Sequence, residues 1–264
     1  MGLSIAMVTT WKVRCGVATY SENLANALAK LGVDVYVVRV SRFGKKTPEV
    51  LQNVVESIQV NKIGLIHVQH EYGIYQELER SFYFALKRLG KPIVTTMHAT
   101  GVNIQTDNGI AATSDRVVVH NKFCAERFGY PATIIPHGVA VCEALSGDES
   151  KRSLGIGATT PIVGYCGFVS SYKGIEYLIR AVPKIKERVP AVKIVIAGRG
   201  KFWFPVPAKQ TYEIYNRHIS NAELVHLIQR ASIVVTPYVD ATHSAVIMTA
   251  YAFAKPVVAS AVGG

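Results

Sequence analysis

Residues 236–264 read TPYVDATHSAVIMTAYAFAKPVVASAVGG, at the end of the chain. This order predicts a strand end, a small polar loop, a helix and a final strand. Ser244 is a typical N-cap, and Lys255-Pro256 ends the helix because proline cannot continue one. The helix is apolar on nearly every side, which predicts that it is buried.

The start of this helix is a candidate anion site. The first N–H groups of a helix have no partner within it, and the helix dipole adds positive potential there. The polar residues Thr242, His243 and Ser244 come just before the helix, and Ala245 and Val246 open it. From the spacing alone, an ordinary capped core helix is the favoured interpretation.

The composition indicates a globular protein. Of the 264 residues, 49% are hydrophobic and 18% are charged, which suffices for one large core or two smaller ones. No apolar run reaches the ~18 residues that a membrane span requires. The four cysteines are scattered without a CxxC spacing, so a reducing, cytoplasmic location is expected rather than a disulfide framework or structural zinc.

The net charge of +11 is spread evenly along the chain. There are 15 Lys and Arg against 10 Asp and Glu up to residue 140, and 14 against 8 beyond it. Such an excess fits an anionic ligand, an anionic membrane surface or an ordinary basic surface, and the last is the simplest explanation. No basic-aromatic recognition motif stands out, so no nucleic-acid partner is expected.

The first half of the chain alternates between apolar strands and amphipathic helices. LSIAMVTT at residues 3–10 has the nearly continuous apolar character of a strand buried on both faces of a parallel sheet. A loop that turns at Gly16, a helix and a second strand complete a βαβ unit. A helix at 77–89 and further strands extend the pattern to a doubly wound parallel sheet, although the segment 100–112 is too short and polar for a crossover unit.

A change in composition over residues 138–157 predicts a domain boundary. We therefore predict an N-terminal domain over residues 1–139 and a C-terminal domain over residues 140–264. The second domain repeats the alternation of strands and helices, with helices at 174–188 and 221–231.

Polar residues follow several of the predicted strands, which is where doubly wound sheets bind ligands. They are Gly16, His70, Glu71 and His98 in the first half, and residues 167–174 (GFVSSYKG), 198–200 and 240–244 in the second. Backbone N–H groups of GFVSSYKG, together with the Lys173 ammonium, suit a diphosphate. From these residues alone, two simpler interpretations remain open. Residues 167–174 can be a surface loop with a solvated lysine, and His98 can have a purely structural role.

Three common catalytic motifs are absent from the sequence. The chain contains no GxGxxG, no GxxxxGK[ST] and no GxSxG. Their absence argues against a dehydrogenase, a P-loop enzyme and an α/β-hydrolase respectively.

Several blocks occur in an order that resembles a known family. They are CGVATYSENLANALAKLG, IPHGV, GFVSSYKGIEYLIRAVPKIKERVPAVKIVIAG, NAELVHLIQRASIVVTPY and SAVIMTAYAFAKPVVASAVGG. Together they cover nearly the whole chain and resemble the GT-B glycosyltransferases of family 4.

The resemblance implies an α/β fold of the GT-B architecture, with two Rossmann-like doubly wound parallel-sheet domains facing across a cleft. It implies a hexosyltransferase that takes a sugar from a UDP- or GDP-linked donor, held mainly by the C-terminal domain. Retention of the anomeric configuration is implied, without a metal or further cofactor. The acceptor is expected to be a glycan, a lipid-linked molecule or a small molecule, and the basic charge alone suggests peripheral contact with the inner membrane face.

The resemblance assigns catalytic roles to two residues. His98 matches a histidine that ends a strand and contacts the transferring sugar, and Lys173 matches a lysine that neutralises the leaving diphosphate. The donor-binding candidates besides Lys173 are Gly16, Gly167, Gly198, Thr242, His243, Ser244, Ala245, Val246 and Thr249. No metal ligand is expected among them.

Departures from the family pattern leave alternatives open. Phe168 replaces an arginine, and Ala241 and Thr249 replace a pair of glutamates, although the loop starting at Thr242 resembles a variant within the family. The family also continues past the position of Gly264, so the C-terminal domain is expected to be incomplete. The alternatives are a non-catalytic module that binds a nucleotide or a partner protein, and a GT-B sugar-nucleotide epimerase.

Overall fold

The structure is a computed structural model that describes residues 2–41, 44, 47–59, 62–76, 78–139, 156, 159–205 and 211–264. The chain divides into two compact units, Met1–Gly138 with Gly264, and Val139–Gly263. Most of the predicted boundary segment, 138–157, lies outside the described residues. No helix in the described ranges is long and apolar enough to cross a bilayer.

The described part of the first unit contains a parallel sheet with the strand order β2-β1-β3-β4-β5-β6. Its strands are β1 (Ser4–Thr9), β2 (Asp34–Arg39), β3 (Leu65–His70), β4 (Ile93–Met97), β5 (Arg116–Val119) and β6 (Thr133–Ile134). Its helices are α1 (Gly16–Lys30), α2 (Pro48–Gln59), α3 (Tyr72–Tyr75), α4 (Glu79–Lys87), α5 (Ile104–Thr113) and α6 (Lys122–Phe128). Helix α4 corresponds to the helix predicted at 77–89.

Both faces of β1 are covered, as predicted for a doubly wound sheet. Ala6 and Val8 belong to the large apolar core that includes α2, whereas Ile5 and Met7 pack with Ala25 of α1 in a separate cluster. Successive side chains of a strand point to opposite faces, so a strand covered on both faces needs a continuous apolar run. The sequence of β1 has such a run.

Helix α5 occupies most of the segment 100–112, where the sequence predicts no crossover helix. The Asn103 side chain caps it, accepting hydrogen bonds from two N–H groups of the first turn at 3.0 and 3.1 Å. Asp107 is fully buried in this helix, and its carboxylate accepts hydrogen bonds from Gly101 N at 2.8 Å and from the Tyr72 hydroxyl. The prediction is wrong because Asp107 interrupts the apolar periodicity that would indicate a helix in the sequence. The hydrogen bonds from Gly101 and Tyr72, which only the folded structure provides, allow this carboxylate to be buried.

The described part of the second unit contains a parallel sheet with the order β11-β10-β7-β8-β9. Its strands are β7 (Ile162–Cys166), β8 (Lys193–Ala197), β9 (Tyr212–Tyr215), β10 (Ile233–Thr236) and β11 (Val257–Ala259). Its helical segments are a 3-10 turn (Ser171–Lys173), α7 (Ile175–Arg188), α8 (Asn221–Arg230) and α9 (Ala245–Ala252).

The strand order of the second sheet reverses between β7 and β10. From β7 the chain winds to β8 and β9 on one side, and it then returns to β10 and β11 on the other side. Ligands of open parallel sheets bind at the carboxyl ends of the strands at such a reversal point. Two separate apolar clusters cover the sheet, one containing residues of α7 and the other containing residues of α8 and α9.

Helix α9 is only partly buried, contrary to the prediction from its apolar sequence. Thr249 and Ala250 are buried, but Tyr251 is 61% exposed. Helix α9 contacts α8, β10 and β11, and an apolar helix is covered only where another element packs against it. The predicted cap is confirmed, since Ser244 Oγ accepts a hydrogen bond from Ile247 N at 3.4 Å.

The capping box at the start of α8 gives a first test of the fold. Ser220 Oγ accepts a hydrogen bond from Glu223 N at 3.2 Å, and the Glu223 carboxylate accepts one from Ser220 N at 2.9 Å. We expect Ser220→Ala to lower the free energy of unfolding by about 1 kcal/mol, because a first-turn N–H loses its acceptor. Urea unfolding measures this loss, with Asn221→Ala at the next, exposed position as the control. An equal loss in both variants would contradict the capping role.

Candidate functional site

Three loops of the second unit follow the adjacent strands β7, β8 and β10 at the carboxyl edge of the sheet. They comprise residues 167–174, 198–200 and 237–244, and together they are called the loop cradle below. The loops after β7 and β10 flank the point where the strand order reverses. The loop cradle is therefore where a ligand of the second unit is expected.

Glycines allow the loops of the cradle to approach one another closely. A Cβ atom on Gly198 would lie 1.7 Å from the Gly167 carbonyl oxygen, and one on Gly174 would lie 1.8 Å from the Pro237 carbonyl oxygen. Gly198 and Gly174 also have positive φ angles, +152° and +61°, which favour glycine. Gly174 and Gly198 therefore have a clear structural role, in addition to any contact that Gly198 makes with a ligand.

Lys173 brings a positive charge to the loop cradle. Its ammonium lies 3.8 Å from the ring centroid of Tyr238 and 4.9 Å from that of Tyr172, within the range of cation–π attraction. Burial lowers the pKa of Lys173 to about 8, because the charged form loses hydration. Lys173 takes part in none of the ion pairs found among the described residues. An anion beside this ammonium would stabilise its charged form.

Tyr238 connects Lys173 to the start of α9. Its ring lies against the Lys173 ammonium, and its hydroxyl is 3.2 Å from Ser244 Oγ, the cap of the helix. The lysine and the positive end of the helix dipole therefore lie at one site, where both favour a negatively charged ligand. The roles of Tyr172 and Tyr238 are not predicted from the sequence, because tyrosine at a strand end gives no distinctive signal.

The other residues of this unit that the sequence analysis considers differ in how accessible their side chains are to a ligand. Thr242 and His243 are half-buried in the loop cradle, with Thr242 Oγ1 3.4 Å from His243 Nδ1. Thr249 is buried, and its hydroxyl donates to Ala245 O of its own helix at 2.8 Å, so it could donate to a ligand only by giving up that bond. Phe168, where the family pattern has arginine, is 52% exposed.

Two predicted residues lie at the carboxyl edge of the first sheet. Gly16 is the first residue of α1 rather than part of a loop turn, and a Cβ atom there would meet nothing within 4 Å. The predicted turn at Gly16 is therefore wrong, but there is open space beside the helix start. His98 follows β4 and is buried, and its Nε2 is 3.0 Å from Gln69 Oε1.

His98 lies in a group of aromatic residues called the histidine cluster below, made of Tyr20, His98, His120 and His137. The Tyr20 ring centroid lies 4.8, 5.2 and 5.0 Å from those of His98, His120 and His137, respectively. His120 and His137 are not among the residues predicted from the sequence, although each comes soon after a strand, as His98 does. Burial lowers the pKa of His120 to about 4 and also lowers the pKa of His137.

His70 and Glu71, which the sequence suggests as ligand-binding candidates at a strand end, have structural roles instead. His70 is the last residue of β3 and is fully buried, with Nε2 3.6 Å from the buried Glu79 carboxylate. Glu71 caps α3 by accepting a hydrogen bond from Gly73 N at 3.1 Å. Both residues have structural partners, because β3 extends to His70 and the chain then enters a helix directly.

Comparisons with known proteins relate the second unit of this chain to glycosyltransferases. Residues 160–264 match the sequence model of a family described as Glycosyl transferases group 1. An uncharacterized glycosyltransferase of Methanocaldococcus jannaschii is 37% identical over 121 residues, which cover 43% of this chain and 30% of that protein. A D-inositol 3-phosphate glycosyltransferase of Corynebacterium aurimucosum is 33% identical over 131 residues, covering 44% and 31%. The matched part thus spans less than a third of each of these relatives.

Solved structures match nearly the whole chain. Sucrose-phosphate synthase from Thermosynechococcus elongatus aligns with a TM-score of 0.72 and 19% identity, covering 99% of this chain and 82% of that one. A glycosyltransferase from Rickettsia africae aligns with a TM-score of 0.74 and 16% identity, covering 100% and 80%. These matches confirm the predicted fold class, two parallel-sheet α/β units of the GT-B architecture. In its fold, and in the sequence of its second unit, the chain is similar to GT-B glycosyltransferases.

Proposed function

We propose that this chain is a glycosyltransferase, or part of one, which transfers a sugar from a nucleotide-diphosphate sugar to an acceptor. In this proposal the anomeric configuration is retained, and no metal ion is needed at the diphosphate. The observation that carries the proposal is the position of Lys173, a half-buried ammonium in the loop cradle, in the part of the chain that matches the group 1 family.

The loop cradle has the chemistry to stabilise a leaving diphosphate. Negative charge grows on the diphosphate as its bond to the sugar breaks. Positively charged groups and N–H donors that are already positioned around the diphosphate therefore lower the activation barrier for breaking that bond. The Lys173 ammonium and the N–H groups at the start of α9 would supply that charge, in a site whose partial dehydration strengthens electrostatic attraction. A metal ion would not be required for this neutralisation.

The remaining predicted residues have narrower roles in the proposal. Thr242 and His243 would offer polar contacts to the donor from the loop before α9, in place of the glutamates that the family pattern has at Ala241 and Thr249. In the first unit, His98 would contact the transferring sugar. The open space beside Gly16 would leave room for a ligand.

The pKa of Lys173 gives a test that does not require turnover. Because burial lowers this pKa to about 8, roughly half of the molecules carry an uncharged Lys173 at pH 8. A diphosphate beside the amine raises its pKa, so binding should take up about half a proton at pH 8 and much less at pH 6.5. Calorimetry of UDP or GDP binding in two buffers of different ionisation enthalpy measures this uptake. Equal uptake in Lys173→Met at pH 8 would contradict the assignment.

Activity is tested by a matrix of donors and acceptors. UDP- and GDP-sugars are first ranked by calorimetry, and the tightest donor is then incubated with glycans, lipid-linked acceptors and small molecules, with mass spectrometry of the products. Phosphorylated polyols and sugars belong in the panel, because one relative is named a D-inositol 3-phosphate glycosyltransferase and one structural neighbour a sucrose-phosphate synthase. NMR of the product then shows whether the anomeric configuration is retained.

One observation favours a second candidate function, a nucleotide-binding module without catalysis. Phe168 stands exposed in the loop cradle where the family pattern has a second positive charge. With one positive clamp fewer, the chain could bind a nucleotide sugar without accelerating its cleavage. Tight binding without transfer or hydrolysis for every donor and acceptor would favour this module, whereas one glycosylated product would exclude it.

A further inference from the structure

Four polar side chains of the first sheet are connected to one another, and they are called the polar chain below. They are His67 and Gln69 of β3, Thr96 of β4, and His98, which follows β4. Gln69 and Thr96 are paired in the parallel register of the two strands. Side chains two residues apart on a strand point to the same face, so His67 lies on the same face as Gln69. The polar chain therefore reaches from the interior of the sheet to the strand end at which His98 lies.

Gln69 is the link between His98 and the rest of the polar chain. Gln69 Oε1 lies 3.0 Å from His98 Nε2, and Gln69 Nε2 lies 3.2 Å from His67 Nε2. The Thr96 hydroxyl lies 2.9 Å from the same nitrogen of His67. Gln69 is fully buried, and a buried amide without partners is costly in free energy. Its two histidine contacts satisfy both ends of the amide.

The Gln69 amide determines which ring nitrogens carry a hydrogen. Its oxygen only accepts, so His98 Nε2 donates, and the lone pair of a neutral His98 ring is on Nδ1. Its nitrogen only donates, so His67 Nε2 accepts, and the hydrogen of the His67 ring is on Nδ1. Burial lowers the pKa of His67 to about 4, so this ring is neutral at neutral pH and has a lone pair with which to accept.

These bonds give His98 a defined orientation. An imidazole ring can turn over about its bond to Cβ, and the hydrogen bond from Nε2 to Gln69 favours one of the two orientations. The backbone N–H of His98 also donates to the His70 carbonyl oxygen at 2.9 Å, which fixes the start of the side chain. A group that contacts a reacting substrate is effective only when it is held within about 0.5 Å of its productive position.

We propose that Gln69 is a positioning residue, which holds His98 in one ring orientation with a hydrogen on Nε2. The inference rests on the proposed function in one respect, namely that His98 contacts the transferring sugar. Gln69 is itself fully buried, so it acts through His98 rather than by touching the donor. His67 supports this role, because an amide that turned over would place its oxygen against the His67 lone pair.

Nitrogen-15 NMR of the histidine rings tests the hydrogen positions without donor or acceptor. Spectra of the 264-residue chain at pH 7 distinguish a ring nitrogen that carries a hydrogen from one with a lone pair, and His67→Asn and His98→Asn assign the signals. The expected result is a hydrogen on His98 Nε2 and on His67 Nδ1. A lone pair on His98 Nε2, or a hydrogen on His67 Nε2, would overturn the proposal. Because no substrate is present, this result does not depend on whether the chain transfers a sugar.

Removal of the amide tests whether Gln69 holds the His98 ring. In Gln69→Met the Nε2 hydrogen of His98 loses its acceptor, so the chemical shift of this nitrogen should change, whereas Gln69→Glu keeps an oxygen there and should preserve the shift. Thr95→Val is the matched control, because Thr95 is an equally buried residue of β4 whose hydroxyl contacts those of Tyr83 and Ser114 instead. Thermal melting verifies each fold, and the wild-type spectra decide the question if Gln69→Met does not fold. An unchanged His98 signal in folded Gln69→Met, or an equal change in Thr95→Val, overturns the proposal.

Turnover separates positioning from donor binding. With a productive donor and acceptor, Gln69→Met should lower kcat by about 10- to 100-fold, because a misplacement of about 1 Å can cost about 100-fold in rate. Donor affinity should change by less than about threefold, since Gln69 is buried away from ligands. In a His98→Asn background, Gln69→Met should have little further effect, because residues that act through one another are not additive. An equally large effect in that background would overturn the proposal, whereas a wild-type chain without transfer would refute the proposed function and leave the NMR result standing.

Discussion

Lys173→Ala is expected to weaken the binding of a nucleotide-diphosphate sugar by about 10- to 100-fold, because a charge-assisted hydrogen bond to phosphate contributes roughly 1.5–3 kcal/mol. The ammonium is held against Tyr238 and is already partly dehydrated, so little reorganisation is needed when an anion binds. Calorimetry with the tightest donor measures the loss. If transfer is observed, its rate should fall as well, since the same charge stabilises the departing diphosphate.

Lys184→Ala provides the control for a general change in charge. Lys184 is an exposed lysine of α7, the helix that follows the loop containing Lys173, and its removal changes the net charge by the same amount. Its loss should change donor affinity by less than about threefold, because exposed charges are screened by salt. Equal losses in the two variants would show that the net charge, rather than the position of Lys173, determines binding.

Substitutions of Tyr238 test how the position of the Lys173 ammonium affects donor binding, because they leave its charge in place. Tyr238→Phe keeps the ring that lies 3.8 Å from Lys173 Nζ and removes only the hydroxyl beside Ser244, whereas Tyr238→Leu removes the ring as well. We expect donor affinity to fall clearly further in Tyr238→Leu than in Tyr238→Phe, because a cation–π contact contributes about 0.5–2 kcal/mol. The affinities of the two variants are compared at pH 6.5, where Lys173 is charged.

Gly198→Ala is expected to have the largest effect on stability, lowering the free energy of unfolding of the second unit by about 3–5 kcal/mol. The added methyl group would lie 1.7 Å from the Gly167 carbonyl oxygen, and the φ angle of +152° is unfavourable for alanine. The loops after β7 and β8 would have to separate, so donor binding should be lost together with stability. Urea unfolding and calorimetry of the same variant measure the two losses.

Gly109→Ala is the opposite case and serves as the control. Gly109 lies within α5, and an added Cβ atom would meet nothing within 4 Å. Alanine should therefore stabilise the first unit by about 0.5–1 kcal/mol through its higher helix propensity. Destabilisation by Gly109→Ala, or a neutral Gly198→Ala, would contradict this account of where glycine is required.

Much of the fold could be predicted from the sequence, because apolar periodicity and capping residues act locally. The continuous apolar run of β1 and the Ser244 cap of α9 are both found as expected. Local patterns failed where a tertiary partner decided the outcome. Helix α5 depends on the hydrogen bonds that satisfy the buried Asp107, and the exposure of Tyr251 depends on which elements pack against α9.

The candidate sites show the same division. The sequence by itself determined that Lys173 follows a strand in a glycine-rich loop and that a helix with a good cap begins after Thr242, because these features are contiguous in the chain. Only the tertiary structure decided that Tyr238 joins that lysine to that helix. In the same way, the parallel sheet brings together three histidines that no sequence spacing links. Each such site depends on strand order, which places residues distant in sequence at one edge of a sheet.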